Sequence, residues 1–186
     1  MQSGKQPLGE GIGYRDTLPL RWVPLDALPV GPEAERLAET NARLLTAVAL
    51  LEEHSQLADE PTQTELELQR IHLKLNLLLE LVGNFLQLQT PRPQPLALHL
   101  SWHGAAWAAS GPSPAVGASG LLELHLCPFL PQPLRWPARI VAVAADEVSA
   151  EFDAVPDFCQ TALERHVFQR HRRAIKETRQ PVGAPS

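Results

Sequence analysis

The 186-residue chain has two cysteines, one methionine and one tyrosine, and aromatic residues make up only 5% of it. Cys127 and Cys159 are too few and too far apart for a zinc motif or a disulfide framework, so a reduced, intracellular protein is expected. The opening MQSGKQPLGEGIG lacks the apolar core of a secretory signal, and Lys74, Asn76 and Glu80 interrupt the one leucine-rich stretch, so no segment is expected to span a membrane. A cytoplasmic location is the expectation. There is no nucleophile elbow, no H-E-x-x-H pair and no paired-carboxylate arrangement, and no enzyme activity is expected. Gly9 to Gly13 is no phosphate loop, since neither a buried strand before it nor a helix after it is predicted. The histidines follow no ligand spacing: His99, His103 and His125 fall on candidate strands, while His166 and His171 are five apart on a helix and do not share a face. Neither a metal nor a cofactor is expected.

What the chain does have is leucine at helical spacing. From Thr64 to Leu88, the positions Thr64, Leu68, Ile71, Leu75, Leu78, Val82 and Phe85 advance by four and three, the a/d step of a coiled-coil helix. A second apolar line runs through Leu66, Leu73, Leu77, Leu81 and Leu88, so a single seam would leave too much leucine in water, and more than two helices are expected to meet. At about 1.5 Å per residue this helix is on the order of 35 Å long, more than a domain of this size needs for its own core. An oligomer is expected, with an intramolecular hairpin and a docked domain as the alternative. Glu33 to Gln56 reads as a preceding helix, with Leu37, Asn41, Leu44, Val48 and Leu51 repeating the same step. Asn41 on that line either sets the register of a seam or sits at its exposed end.

The formal charge is −5 and unevenly spread. Glu33 to Glu67 holds nine acids against Arg36 and Arg43, whereas Glu164 to Arg179 holds six bases against two acids. The basic stretch, Arg165, Arg170, Arg172, Arg173, Lys176 and Arg179, could touch phosphate backbones. Its only aromatic is Phe168, however, which the helix stripe is expected to bury, and the chain is acidic overall. A nucleic-acid partner is therefore not expected; a solvated helix end or a docking face for an acidic partner is.

In chain order, residues 1–11 read as a loose start, 12–25 as an edge strand containing prolines, and SQLADEPTQT as the break between the helices. After Pro91, Pro93 and Pro95, short apolar runs at 96–101, 105–110, 120–127, 138–145 and 148–155 predict about five strands of a small antiparallel barrel or sandwich. Leu122, Leu124 and Leu126 are expected inside, against Glu123, His125 and Cys127 outside. A last helix should run from Pro156 to about Thr178 with Leu163, Val167, Phe168 and Ile175 inward.

LHLSWHG at Leu98 to Gly104 resembles the D/N-x-S-x-x-G motif of PilZ domains, bacterial β-barrel receptors for cyclic di-GMP, with His99 in the first place and Ser101 and Gly104 matching. The resemblance continues through Val116-Gly117, LLEL at 121–124, ARIV at 138–141, Val148, Glu151-Phe152 and ERHVFQRHRR at 164–173, so it covers roughly residues 96–176, and more weakly 14–25. The family's ligand site also uses an N-terminal R-x-x-x-R pair, because planar guanidinium forks grip phosphate at two points and stack on a base. Here that segment offers Arg15 and Arg21, six apart with Pro19 between them. The resemblance thus implies an atypical member, with Arg15, Arg21, His99, Ser101 and Gly104 as a degenerate ligand set that binds cyclic di-GMP weakly or not at all. Arg135, Arg139 or a neighbouring subunit are the other sources of arginine. Members of this type act through regulatory protein partners, and some carry inserted heptad helices that assemble tetramers, which implies a homotetramer here and a role in motility or virulence signalling. For Gly104, Ser101 and His99 the simpler reading is structural: close strand approach, a backbone hydrogen bond and a surface strand position.

The expected fold class is α+β: a PilZ-like antiparallel β-barrel with two long inserted heptad-repeat helices and a C-terminal helix. Its parts are a flexible start (1–11), a barrel with its C-terminal helix (12–30 and 91–178), an inserted helical oligomerisation hairpin (31–90) and a flexible tail (179–186).

Overall fold

Alternation of apolar and polar residues makes six segments into strands, and these close on one another as a barrel. The computed structural model describes residues 12–53, 63–89, 92–128 and 130–179. The strands are β1 (Gly13–Pro24), β2 (Pro95–Ser101), β3 (Gly104–Ala108), β4 (Ser119–Leu124), β5 (Leu134–Val143) and β6 (Glu147–Phe152), and the helices α1 (Pro32–Glu53), α2 (Gln63–Gln89) and α3 (Asp157–Arg179). The strands close an antiparallel barrel in the order β1-β2-β3-β6-β5-β4. β1 closes it alone: Gly13 to Pro19 pair with β2, and Leu20 to Pro24 pair with β4. The first strand thus belongs to the later sheet, and both α1 and α2 lie between β1 and β2 in sequence. The fold is α+β, with the barrel, two long helices and C-terminal helix anticipated. Residues 1–11, residues 55–62 of the break between the helices and residues 180–186 of the tail lie outside the described residues, and Gln63 and Thr64 of that break already belong to α2.

The barrel core follows from the register. Leu100, Ala105, Ala150 and Ile140 align across four strands, and Leu122 and Leu124 oppose Trp136 and Leu134, all almost wholly buried. Trp22 stacks on Trp107 with ring centroids 6.2 Å apart. Gly120 has to lack a side chain, because a Cβ there would run into the Val23 carbonyl and the Trp22 ring. Leu122, Leu124 and Leu126 are buried as expected, but Glu123 is buried too, at 4% exposure. Its neighbours in the register are Arg21 and Arg135, and they account for its burial.

α1 opens after Gly31 with Pro32 in its first turn, where a missing N–H is harmless, and with Glu33 and Glu35 facing the positive end of the helix dipole. Asn41, Leu44 and Val48, expected on a seam between copies, are buried within their own chain, where α1 packs on α3 and β5; Leu37 and Leu51 flank them half-buried. Asn41 is 1% exposed, and its amide donates to the Arg135 carbonyl at 2.7 Å and accepts from the Arg135 N–H at 3.1 Å. A polar residue on this stripe therefore docks helix to strand, capturing backbone groups that face outward from the sheet.

α1 carries no base in its last turn. The cations come from α3 instead: Arg173 donates to a Glu52 carboxylate oxygen at 2.6 Å and to the Glu52 carbonyl at 3.1 Å, and Arg170 bridges Glu52 and Asp16 of β1. Beside this network the Tyr14 hydroxyl and His166 Nε2 are 3.0 Å apart, and His171 Nδ1 meets the Gly13 carbonyl at 2.6 Å. Burial, helped by Arg170 and Arg173, pushes the His166 imidazole down to about 4, so it is neutral at pH 7. On α3 the inward residues are Cys159, Leu163, His166 and Val167. Phe168 and Ile175, expected inward, are 47% and 39% exposed. At 100° per residue Phe168 falls off the arc centred on Leu163 and His166 and joins Phe158 and Arg165 on the outer face.

α2 differs from every other element. Leu66, Leu68, Ile71, Leu73, Leu75, Leu77, Leu78, Leu81, Val82 and Phe85 are all exposed, and α2 makes no extended contact with another described element.

Two measurements follow. Asn41→Ala should lower stability by about 1–3 kcal/mol in urea unfolding, because it strands the Arg135 backbone groups, and should leave the mass in light scattering unchanged. His166 has a folded pKa near 4, below the ordinary 6.5, so the unfolded chain takes up its proton first as the pH falls. Its contribution is present in full above pH 6.5 and is lost as the pH falls towards 4, by on the order of 3 kcal/mol. His166→Gln should flatten the dependence of the urea midpoint on pH across that window.

Candidate functional site

The turn joining β2 to β3 is built around one hydroxyl. Ser101, 3% exposed, accepts the backbone N–H groups of Gly104 at 3.2 Å and His103 at 3.3 Å through its Oγ, and donates to the Gly104 carbonyl at 3.0 Å. Its hydrogen-bonding capacity is used within the turn. Gly104 starts β3 opposite Glu151 of β6 and is buried.

His99 lies two residues earlier on β2, between Arg15 of β1 and Ala106 of β3. These residues, with Ser149 in the next strand, share the outer face of the barrel and line a groove of about 720 Å³. Partial burial and then the neighbouring Arg15 hold the His99 imidazole below its ordinary pKa, so it offers a neutral ring. The ring also lies against the backbone of Gly13, where a Cβ would sit 2.5 Å from His99 Nε2. One arginine lines this groove against Asp16, Asp146 and Glu147. A dianionic ligand would meet more negative than positive charge there.

Arg21 is not beside Arg15. Six residues of strand separate their Cα atoms by roughly 20 Å, and the two face different neighbours, Arg15 towards β2 and Arg21 towards β4. Arg21 donates through Nε at 2.9 Å and Nη2 at 2.5 Å to one oxygen of Glu123, and Arg135 donates through Nε at 2.9 Å to the other. This Arg-Glu-Arg clasp engages two of the arginines that could have served a ligand. Arg139, the remaining candidate, is exposed and reaches the Gly117 carbonyl at 3.4 Å. Of the five candidate ligand residues, the fold brings together Arg15 and His99 in one groove, sets Ser101 and Gly104 in a turn, and leaves Arg21 in a separate ion pair.

Among the described residues no group of three His, Cys, Asp or Glu side chains could hold a metal ion, and no helix is long and apolar enough to cross a membrane. Cys127 and Cys159 are free, and burial pushes the Cys159 thiol up to about 11, which makes it unreactive. Sequence reasoning missed the burial of Glu123, whose strand alternation marks it as outward.

Residues 43–180 match the family described as atypical PilZ domain, cyclic di-GMP receptor. A pathogenic protein from Xanthomonas campestris, whose crystal structure is described as a tetrameric PilZ domain self-assembled through a helical bundle, is similar with a TM-score of 0.70 and 26% identity, over 91% of this chain and 93% of that one. No curated protein matches. With a barrel closed by its first strand, a Ser-x-x-Gly turn between β2 and β3 and a family match over most of its length, the chain belongs to the atypical PilZ domains.

Proposed function

We propose that this chain is a non-enzymatic scaffold of cyclic-di-GMP-related signalling in the bacterial cytoplasm. It self-assembles through α2 into a homotetramer and acts on regulatory protein partners in motility or virulence, with weak or no binding of cyclic di-GMP. The observation that carries this is the ten large apolar side chains of α2 left exposed in the single chain. Monomers rarely expose apolar patches beyond a few hundred Å², and burying the exposed half of each side chain contributes about 1 kcal/mol, so on the order of 10 kcal/mol per helix. That is comparable with the cost of association. Because the apolar residues lie around most of the helix, one partner helix cannot cover them, and a four-helix bundle can. The Xanthomonas protein, described as assembling as a tetramer through a helical bundle, supports the same geometry. Since α1 uses its own stripe against α3 and β5, the assembly reading rests on Leu68, Ile71, Leu75, Leu78, Val82 and Phe85 of α2.

The weak-ligand reading is supported by the acidic lining around His99, by the separation of Arg15 from Arg21, and by the clasp that holds Arg21 and Arg135 on Glu123. Replacing Leu75 and Leu78 with Gln should convert the tetramer to a smaller species in light scattering, with the barrel's near-ultraviolet dichroism intact; an unchanged mass would remove α2 from the interface. Isothermal titration with cyclic di-GMP to well above micromolar concentration should give no saturable heat. Saturable binding that falls on replacing Arg139 with Ala would make the chain a receptor with unusual arginine contacts.

A further inference from the structure

The groove on the outer face of the barrel has a floor of small side chains and two ends of opposite charge. Across β1, β2, β3 and β6 the register aligns Arg15, His99, Ala106 and Ser149 in one row, and in the next it sets Thr17 beside Ala97 and Ala108 beside Glu147. The middle of the groove therefore runs over alanine and serine. Its free charges lie at the ends: Arg15 on β1, and Asp146 and Glu147 at the start of β6. Four strands at about 4.8 Å spacing, with a two-residue offset along them, place these ends roughly 15 Å apart. All three side chains are exposed, and no ion pair takes up their charge among the described residues. Asp16, the remaining charged group of the lining, is paired with Arg170. Just beyond the groove, Glu151 and Arg139 are cross-strand neighbours of opposite sign. The floor also holds an unused polar group. Ser149 is 2% exposed and lines the groove, and its hydroxyl has no hydrogen-bond partner among the described residues. Ser101 spends its hydroxyl within the turn, whereas Ala106, the register partner of Ser149, packs the same face with no hydroxyl at all.

We propose that this groove binds a short extended segment of a partner protein that carries a carboxylate at one end and an ammonium or guanidinium group at the other. Arg15 holds the carboxylate, Asp146 and Glu147 hold the cation, and small residues between them pass over Ser149, whose hydroxyl bonds the backbone of the segment. At about 3.4 Å per residue, about five residues span the distance between the ends. A segment with acids alone would meet Asp146 and Glu147, and one with bases alone would meet Arg15, so the two ends together select a segment of mixed charge. The inference rests on the reading of the chain as acting through protein partners, and it names the surface and the chemistry it takes.

The test is calorimetric titration of the full chain with alanine peptides of about four to six residues, blocked at both termini, that carry Asp at one end and Arg at the other, Asp at both ends, or Arg at both ends. The best mixed peptide should bind with a Kd below about 1 mM, and the like-charged peptides at least about tenfold more weakly. Arg15→Glu and Glu147→Lys, both at exposed positions, should each weaken the mixed peptide about tenfold. The double variant should recover the affinity, because it exchanges the two ends and the peptide can lie the other way round. Ser149→Ala should cost about fivefold. The proposal is overturned if no mixed peptide binds, if the mixed peptides bind no better than the like-charged ones, or if binding is indifferent to these variants. None of these outcomes touches the mass in light scattering, so the α2 assembly is judged separately. Saturable binding of cyclic di-GMP that Arg15→Glu removes would overturn both this site and the weak-ligand reading, whereas absence of binding by either ligand overturns the peptide site alone.

Discussion

The double pairing of β1 is the constraint on which the rest of the molecule depends. One strand of twelve residues is bonded to β2 along its first half and to β4 along its second, and only this closes the barrel. Because β1 comes first and its main partners come after α2, the two helices have to leave and re-enter the barrel between neighbouring strands. The same strand presents Tyr14 and Asp16 to α3 and Arg21 to Glu123. Closure, docking of the C-terminal helix and the fate of a candidate ligand arginine are thus set by one alternating segment.

The charges of the chain find each other across elements. The acidic end of α1 and the basic stretch of α3 look in isolation like two solvated regions of opposite sign. In the fold, Glu52 receives both Arg170 and Arg173, and the second of these also reaches the carbonyl at the end of α1. A helix terminus that lacks its own cation is completed by a neighbour, at the end favoured by the helix dipole. Arg165 and Arg172 face the opposite side of α3, next to exposed phenylalanines. This division gives α3 an inner face that stabilises the fold and an outer face that carries exposed aromatic rings. The exposed apolar side chains of the described residues thus gather mainly on α2, with Phe158 and Phe168 of α3 apart from them.

Most of the architecture was legible because it depends on local period. Alternation over five to ten residues marks strands, steps of three and four mark helices, and proline and glycine mark the ends, so the described elements lay close to where their patterns placed them, except that β5 begins at Leu134, four residues before its predicted start. The spacing of six in place of four between Arg15 and Arg21 was legible as well, since it is a property of the chain. Partners were not legible. Asn41 sits on a heptad line that would serve a coiled coil equally well, and nothing local shows that its amide meets the Arg135 backbone 94 residues away. Phe168 misled because it follows Val167, one step of 100° beyond the buried arc.

The sequence by itself determined the order and type of the elements, the six-residue spacing of Arg15 and Arg21, and the excess of leucine on α2, because each depends on residues near one another along the chain. Only the tertiary structure decided which apolar stripes are filled and which are left over. The stripe of α1 is covered by α3 and β5, that of α2 is bare, and Glu123 is buried between arginines from two other strands. Burial and ion pairing depend on what the fold brings within a few ångströms, and periodicity carries no information about the identity of the facing surface.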